Sequence, residues 1–180
     1  MSTNYIWPLS KSTMPNEMNT SFGPRINTNR WDFHDGIDLP AEKGTKVYAM
    51  RGGTVRSAGE KGQDGYSSRH MLLEVNDPND GKMYLVHLHL DSIDEAMKPG
   101  PSVVQGQEIG RVGDDGATYP HLHIEFLQGT PDTKAQTSRH PLQYLPYSNT
   151  ANFTAPVADR FNRIGPLMAA RLQFAASNKS

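Results

Sequence analysis

The chain of 180 residues contains no cysteine. This absence excludes disulfides, thiolate metal sites and cysteine nucleophiles, so any metal ion must be bound by histidine and carboxylate side chains. Charge of one sign is also lacking, because 18 basic side chains face 19 acidic ones, for a formal net charge of −1 at pH 7. A chain so nearly neutral has no broad basic surface, and we expect no nucleic-acid partner.

Long apolar runs are absent as well. No stretch approaches the roughly 20 apolar residues of a membrane-spanning helix, so we expect no membrane span. The first residues, MSTNYIWPLSKS, lack the basic and then apolar pattern of a signal peptide, and no signal peptide is visible in this chain. A length of 180 residues is enough for one domain with a real hydrophobic core.

Short strand-like runs separated by glycine fill the middle of the chain. They include TKVYAM, MYLVHLHL and HLHIEF, and they predict a mainly β, antiparallel, sandwich-like single domain over residues 31–130. Residues 1–30 are expected to form an irregular segment that packs on this core, and residues 131–150 a loop. Residues 151–180 are expected to form a C-terminal helical extension, because apolar side chains recur there at helical spacing, namely Val157, Phe161, Ile164, Met168 and Leu172.

The histidines are unevenly distributed along the sequence. Five of the seven lie in three short stretches, and TYPHLHIEF contains His121 and His123 one residue apart. In a strand these two side chains point to the same face, while Leu122, Ile124 and Phe126 point to the other, into a core. Such a pair by itself is more often a surface or core pair than a metal site, so its meaning depends on the other two stretches.

The second stretch, WDFHDGIDLP, has His34 and Asp38 four residues apart with Gly36 between them. In an extended segment these three positions share a face, and Gly36 leaves that face open. An imidazole and a carboxylate that converge in this way suit zinc. Together with a further histidine, they would leave a fourth coordination position open for water, as catalytic zinc sites require.

The third stretch, YLVHLHLDSI, contains His87 and His89, which are expected to share one strand face together with Leu85. The remaining histidines, His70 and His140, have no such company. We expect them to have surface or loop roles.

In this order, the three stretches resemble the lysostaphin-type (LytM-like) zinc metalloendopeptidases, which cut peptide bonds in bacterial peptidoglycan. SFGPRIN resembles the Phe-Gly-x-Arg motif of that family, FHDGIDLP its His-x-Gly-x-Asp motif, and YLVHLHLDSI its Tyr-x-His-Leu motif. VVQGQEIGRVGDDGATYPHLHIEF resembles the Gly-Gln-x-Ile-Gly run that leads into Gly-Pro-His-Leu-His-x-Glu. The similarity extends over most of residues 20–127.

This resemblance implies a zinc-dependent endopeptidase with one zinc ion per chain, bound by His34, Asp38 and His123. It implies that His121 is a catalytic histidine close to the metal. Its second catalytic histidine corresponds to His89, which precedes LDSI as in the family's His-Leu-x-x-Ile, although a register slip of two would make it His87.

Two further residues near the HLH motif have open roles. Glu125 either orients the ligand His123 or faces solvent. Tyr119 stands where the family usually has a small residue, and we expect it at the edge of the substrate groove, where it contacts substrate; the alternative is that it packs under the loop GDDGAT.

The resemblance also implies a peptidoglycan peptide as substrate and a location in the cell envelope or outside the cell. Three alternatives remain from the sequence. One is a catalytically silent binding or activating module of the same fold. Another is a two-histidine phosphocarrier, which needs no aspartate ligand, and the third is a D-alanyl-D-alanine dipeptidase, whose first histidine and aspartate are further apart.

Overall fold

The computed structural model describes residues 5–10, 20–27, 29–129 and 137–146. This part of the chain is built almost entirely from antiparallel strands, which confirms the predicted mainly β class. Within it, no helix is long and apolar enough to span a membrane. The helix predicted at 151–180 lies outside the described residues.

The described strands have the following bounds: β1 Gly23–Asn27, β2 Arg30–His34, β3 Gly36–Pro40, β4 Lys46–Tyr48, β5 Gly53–Gly59, β6 His70–Asp77, β7 Gly81–Leu88, β8 Leu90–Ile93, β9 Ser102–Val103, β10 Glu108–Val112, β11 His121–Gln128 and β12 Thr137–Arg139. Two single 3₁₀ turns, Gln63–Gly65 and Pro141–Gln143, complete the described elements.

One sheet of seven strands dominates the architecture. Its order is β12-β11-β7-β6-β5-β9, and β3 pairs with the first part of β11, ahead of β12. Three further strands form a small sheet in the order β4-β10-β8, and β1 pairs with β2 in a separate hairpin. Because β11 pairs on one side with β7 and on the other with β3 and then β12, it is central in this part of the sheet.

One face of the large sheet covers the main hydrophobic core. Leu122, Ile124 and Phe126 of β11 are fully buried there, as the alternation in HLHIEF predicted. The N-terminal segment contributes Tyr5, whose ring packs against that of Phe126 with centroids 5.3 Å apart. The core therefore joins residues from the start of the chain to its central strand.

Two short elements lie within residues 137–146, in the range expected to be a loop. Thr137–Arg139 pairs with the end of β11, and Pro141–Gln143 forms a 3₁₀ turn. Tyr144 stacks on Phe126 with ring centroids 4.9 Å apart, and Leu145 is fully buried. Tertiary packing of these two apolar side chains organises a stretch whose polar composition favoured a loop.

The opposite face of the same sheet carries His121 and His123 of β11 and a second, smaller apolar cluster. This cluster contains Leu72, Tyr84, Val86 and Leu127. Directly paired residues of antiparallel strands lie on the same face. Since Val86 pairs with Glu125 and Leu88 pairs with His123, the second cluster continues the face on which His123 lies.

Candidate functional site

Strand register brings three predicted metal ligands together. His123 of β11 is paired directly with Asp38 of β3, so both side chains lie on one face, and His34 ends the adjoining strand β2. His123 Nδ1 lies 2.8 Å from Asp38 Oδ1 and 3.0 Å from His34 Nε2, and the latter lies 3.2 Å from Asp38 Oδ1. All three side chains are buried, and their ligand atoms form a group that could hold a metal ion.

In each of these three side chains, the polar atom that faces away from the group has a partner of its own. His34 Nδ1 donates to the main-chain oxygen of Ser21 at 2.9 Å, which leaves the lone pair on Nε2. His123 Nε2 lies 2.9 Å from a carboxylate oxygen of Glu125, and Asp38 Oδ2 lies 3.9 Å from Nη1 of Arg25. Such partners fix the tautomer and orientation of metal ligands. The contact to His123 favours the ligand-orienting interpretation of Glu125.

Gly36 makes room for this arrangement. It is paired with Glu125 across the β3–β11 ladder, and a Cβ atom at this position would lie 2.8 Å from His123 Nε2 and still closer to the main-chain oxygen of Ile124. Any larger residue would therefore push on the ring of His123. The open face that the sequence predicted at this glycine is required by the packing.

The charges of the group are strongly coupled. Burial acts to raise the pKa of Asp38, but hydrogen bonds with His121, His123 and His34 outweigh it and hold that pKa far below its usual range. Burial acts to lower the pKa of His123, but the hydrogen bonds with Asp38 and Glu125 raise it to about 9. Asp38 is thus ionised, which is the form in which a carboxylate binds a metal.

The two predicted catalytic histidines lie beside this group. His121 Nε2 is 3.5 Å from Asp38 Oδ1, and the rings of His121 and His89 have centroids 4.7 Å apart. His121 Nδ1 donates to the main-chain oxygen of Tyr119 at 2.9 Å, and His89 Nδ1 donates to that of Asp115 at 2.7 Å. Because carbonyl oxygens only accept, both rings keep the Nε2 lone pair free of these contacts.

The expectation that His87 and His89 share a face was wrong. His87 pairs with Ile124 and Met71 and is fully buried on the core side of the sheet. Strand β7 ends at Leu88, and His89 has a left-handed φ of 63° that interrupts the alternation. This backbone turn sends His89 to the metal-ligand side, where its ring centroid is 6.0 Å from that of His123.

The expectation for His70 was also wrong. His70 is fully buried in β6, where its Nε2 lies 2.6 Å from the hydroxyl of Ser57 and its ring stacks on Tyr66 with centroids 4.2 Å apart. Nothing in its local sequence signals these partners, which tertiary structure supplies. His140, by contrast, lies in a connecting segment as expected, where its Nδ1 accepts from the main-chain N–H of Leu142 at 3.2 Å.

Tyr119 lies at the edge of the histidine group. Its side chain is 50% exposed, and its ring centroid is 5.2 Å from that of His121. Sequence reasoning gave no role to Ser21, Asp115 or Arg25, which contact the site histidines or Asp38. All three residues stand in motifs quoted above, but main-chain acceptors such as those of Ser21 and Asp115 have no side-chain signature.

Comparison with known proteins gives a family and a fold. The sequence profile of peptidase family M23 matches residues 32–136. Among solved structures, the chain is similar to the catalytic domain of the prophage-encoded M23 protein EnpA from Enterococcus faecalis, with 26% identity and a TM-score of 0.60, over 79% of this chain and 98% of that one. The matched range contains all five histidine and aspartate positions discussed above as ligands or neighbours.

Two further solved structures are similar. The catalytic domain of the antimicrobial peptidase lysostaphin from Staphylococcus simulans is 28% identical, with a TM-score of 0.55 over 69% of this chain and 87% of that one. A zinc-containing peptidase from Vibrio cholerae is 30% identical, with a TM-score of 0.54 over 67% of this chain and 35% of that one. These matches favour a metallopeptidase over the phosphocarrier considered from the sequence.

Proposed function

This chain belongs to peptidase family M23, and on that premise we propose that it is a zinc-dependent endopeptidase that hydrolyses peptide bonds in the stem peptides or cross-bridges of bacterial peptidoglycan. The observation that carries the proposal is the convergence of His34 Nε2, Asp38 Oδ1 and His123 Nδ1, with two further histidine rings beside them. The substrate class follows from the resemblance to lysostaphin-type enzymes, and with it a location in the cell envelope or outside the cell.

The donor set fits one zinc ion. Two imidazole nitrogens and one carboxylate oxygen are the ligand types that zinc binds in catalytic sites, which keep a further position open. Each donor is supported by a second contact, to Ser21, Glu125 or Arg25. The chemistry that zinc supplies in such a site is Lewis acidity, which polarises a peptide carbonyl and lowers the pKa of water to near neutrality.

His89 and His121 are the residues we assign to proton handling. Hydrolysis adds water across the peptide C–N bond, so one proton must leave the water and one must reach the departing amine. Burial lowers the pKa of His89 to about 4, although the hydrogen bond to the main-chain oxygen of Asp115 acts in the opposite direction. The ring is therefore neutral at pH 7, and its Nε2 can accept a proton. A protonated imidazole next to it can donate a proton or stabilise the developing oxyanion.

Tyr119 is the residue we assign to substrate selection. A half-exposed aromatic ring next to His121 offers a flat apolar face and a hydroxyl to a bound peptide. Extended peptides bind through backbone hydrogen bonds, while side chains at the rim of the groove decide which sequences fit. Tyr119 is therefore expected to favour one class of cross-bridge over another.

The proposal is tested by digestion of several types of purified peptidoglycan, with mass spectrometry of the released peptides. We expect new amino termini, loss of cleavage after chelation, and recovery when zinc is added back. A catalytically silent module of the same fold would bind zinc or peptidoglycan without releasing any peptide. A protein that binds no zinc and cleaves nothing would contradict the assignment.

A further inference from the structure

The backbone of His89 is held in an unfavourable conformation. Its φ of 63° lies in the left-handed region, which is unfavourable for a non-glycine residue. Such residues persist only where surrounding contacts impose the conformation, and they cluster at functional sites. The contacts that impose this conformation on His89 are therefore of functional interest.

Two loops, one containing Gly113 and Asp115 and the other Ser68, form hydrogen bonds with this residue. The main-chain oxygen of His89 accepts from the N–H of Gly113 at 2.9 Å, and its ring Nδ1 donates to the main-chain oxygen of Asp115 at 2.7 Å. Its main-chain N–H points to the hydroxyl of Ser68 at 3.4 Å. The ring of His89 is thus bound to the 113–115 loop, and its backbone is bound both to that loop and to the loop that contains Ser68.

Arg69 and the carboxylate of Asp115 connect the two loops that contact His89. The main-chain N–H of Arg69 donates to Asp115 Oδ2 at 2.5 Å. The guanidinium of Arg69 donates to the main-chain oxygen of Leu90 at 3.0 Å and to that of Asp91. The main-chain oxygen of Arg69 accepts from the N–H of Leu90 at 3.3 Å. Arg69 therefore binds both the loop that holds the ring and the residues that follow His89.

We propose that Arg69 and Asp115 are positioning residues for the reaction, which hold the His89 ring in the site with its proton on Nδ1 and its Nε2 lone pair available. This inference rests on the proposed function. Neither side chain contacts His34, Asp38 or His123 in the hydrogen bonds and ion pairs of the described residues. Their effect must reach the chemistry through the position and tautomer of His89, with the metal ligands unaffected.

The adjacent carboxylates offer a matched pair of variants. Asp115→Ala removes the tether to Arg69, whereas Asp114→Ala removes an exposed ion pair with Lys43, 2.9 Å long, from the same loop. For Asp115→Ala we expect kcat to fall roughly 10- to 100-fold, as for other outer partners of site residues, with KM and zinc content unchanged. Asp115→Asn keeps an oxygen that accepts from Arg69 and should restore most of kcat, while Asp114→Ala should match the natural protein.

A second readout does not depend on activity. Nitrogen-15 NMR of histidine-labelled protein distinguishes a ring protonated on Nδ1 from one protonated on Nε2. His89 should have its proton on Nδ1 in the natural protein and in Asp114→Ala, and a mixture of tautomers in Asp115→Ala. If no form of the protein cleaves any peptide, the proposed function fails, and the NMR result alone decides whether Asp115 holds the ring.

The proposal is overturned if Asp115→Ala equals Asp114→Ala in kcat and in the His89 tautomer. Should Asp115→Ala not fold, Arg69→Lys decides, because it keeps the main-chain groups and the charge but removes the planar guanidinium whose Nη1 donates to both Leu90 and Asp91. The same fall in kcat at unchanged KM would support the proposal, and unaltered kcat would refute it.

Discussion

The metal-ligand half of the site and its proton-handling half are built in different ways. Asp38 and His123 face each other across a strand ladder, and His34 ends the neighbouring strand. His89 instead depends on a left-handed backbone turn and on contacts from loops. Register fixes Asp38 and His123 within the sheet, and His34 joins them from the β1–β2 hairpin, while the second half relies on several weak contacts that must all form. We therefore expect changes in the first half to abolish metal binding, and changes in the second to slow turnover.

Removal of a ligand is the most severe test of the first half. His34→Ala and His123→Ala should each reduce zinc from about one ion per chain to near none, with loss of peptidase activity, because two remaining donors bind zinc weakly. Metal analysis of dialysed protein measures this, with His140→Ala as the control because His140 lies in a connecting segment. Stoichiometric zinc in the His34/His123 double variant would refute the ligand assignment.

The second half is tested by separating the two neighbouring histidines of VHLHL. His89→Ala should lower turnover roughly 100-fold, the usual effect of removing a general acid or base, and leave zinc content intact. His87→Ala should lower the free energy of unfolding by about 1–3 kcal/mol, as other core changes do, and leave turnover nearly intact, because this ring is fully buried on the core side. An inactive His87→Ala beside an active His89→Ala would reverse the assignment.

Gly36→Ala tests whether close packing in the first half is needed for metal binding. Its Cβ would lie 2.8 Å from His123 Nε2, so the strands must move or the ring must turn. We expect a loss of about 1–3 kcal/mol in the free energy of unfolding, together with weaker zinc binding. Gly52→Ala is the control, since the nearest atom there would be 3.4 Å away. Equal thermal stability and zinc affinity in the two variants would contradict the packing argument.

Acid should weaken the sheet through His87. Burial lowers the pKa of His87 to about 4, whereas an unfolded chain titrates near pH 6.5. Above pH 6.5 the ring is neutral in both states and stability is complete. As pH falls from 6.5 to 4, only the unfolded chain gains the proton, so the free energy of unfolding decreases, by about 3 kcal/mol at most.

Urea unfolding at several pH values, in the presence of a chelator so that metal release does not contribute, measures this dependence. His87→Met should remove part of the acid sensitivity, because methionine fills similar volume and does not titrate. The same slope in the natural protein and in His87→Met would show that His87 is not a source of the pH dependence.

The smallest expected effect lies at the rim of the site. Tyr119→Gly should change the ratio of cleavage between a pentaglycine-bridged and a directly cross-linked substrate by a few-fold, mainly through KM, and leave zinc content unchanged. If Tyr119 instead supports the loop before it, the variant should melt at a lower temperature with the same ratio. Side-by-side melting and cleavage measurements distinguish these outcomes.

Much of the metal-ligand half was predictable from local pattern. Alternation in HLHIEF correctly assigned Leu122 and Ile124 to the core and His123 to the opposite face, because a strand imposes a period of two. The glycine between His34 and Asp38 was correctly interpreted as leaving space, because a Cβ atom at Gly36 would lie 2.8 Å from His123 Nε2. Where the backbone is regular, sequence spacing is a reliable guide to which side chains share a face.

The same rule failed where the backbone is irregular. His87 and His89 are two residues apart, but the left-handed φ at His89 directs the two rings to opposite sides of the sheet. His70 was expected to have a surface or loop role because no second histidine lies near it in the sequence, but it packs against Ser57 and Tyr66 in the fold and is fully buried. The first error arises from one backbone torsion and the second from side chains that pack around a buried ring, and regular strand spacing carries no information on either.

By itself, the sequence determined the β class, the faces of the central strand and the donor types available to a metal, since residue identity and a period of two suffice for these. Only the tertiary structure decided that His89 rather than His87 stands beside His121, and that Glu125 contacts the ring of His123. It also decided that Arg69 and Asp115 enclose His89. The physical reason is that these arrangements depend on one backbone torsion and on contacts between separate loops, which form only when the whole sheet is assembled.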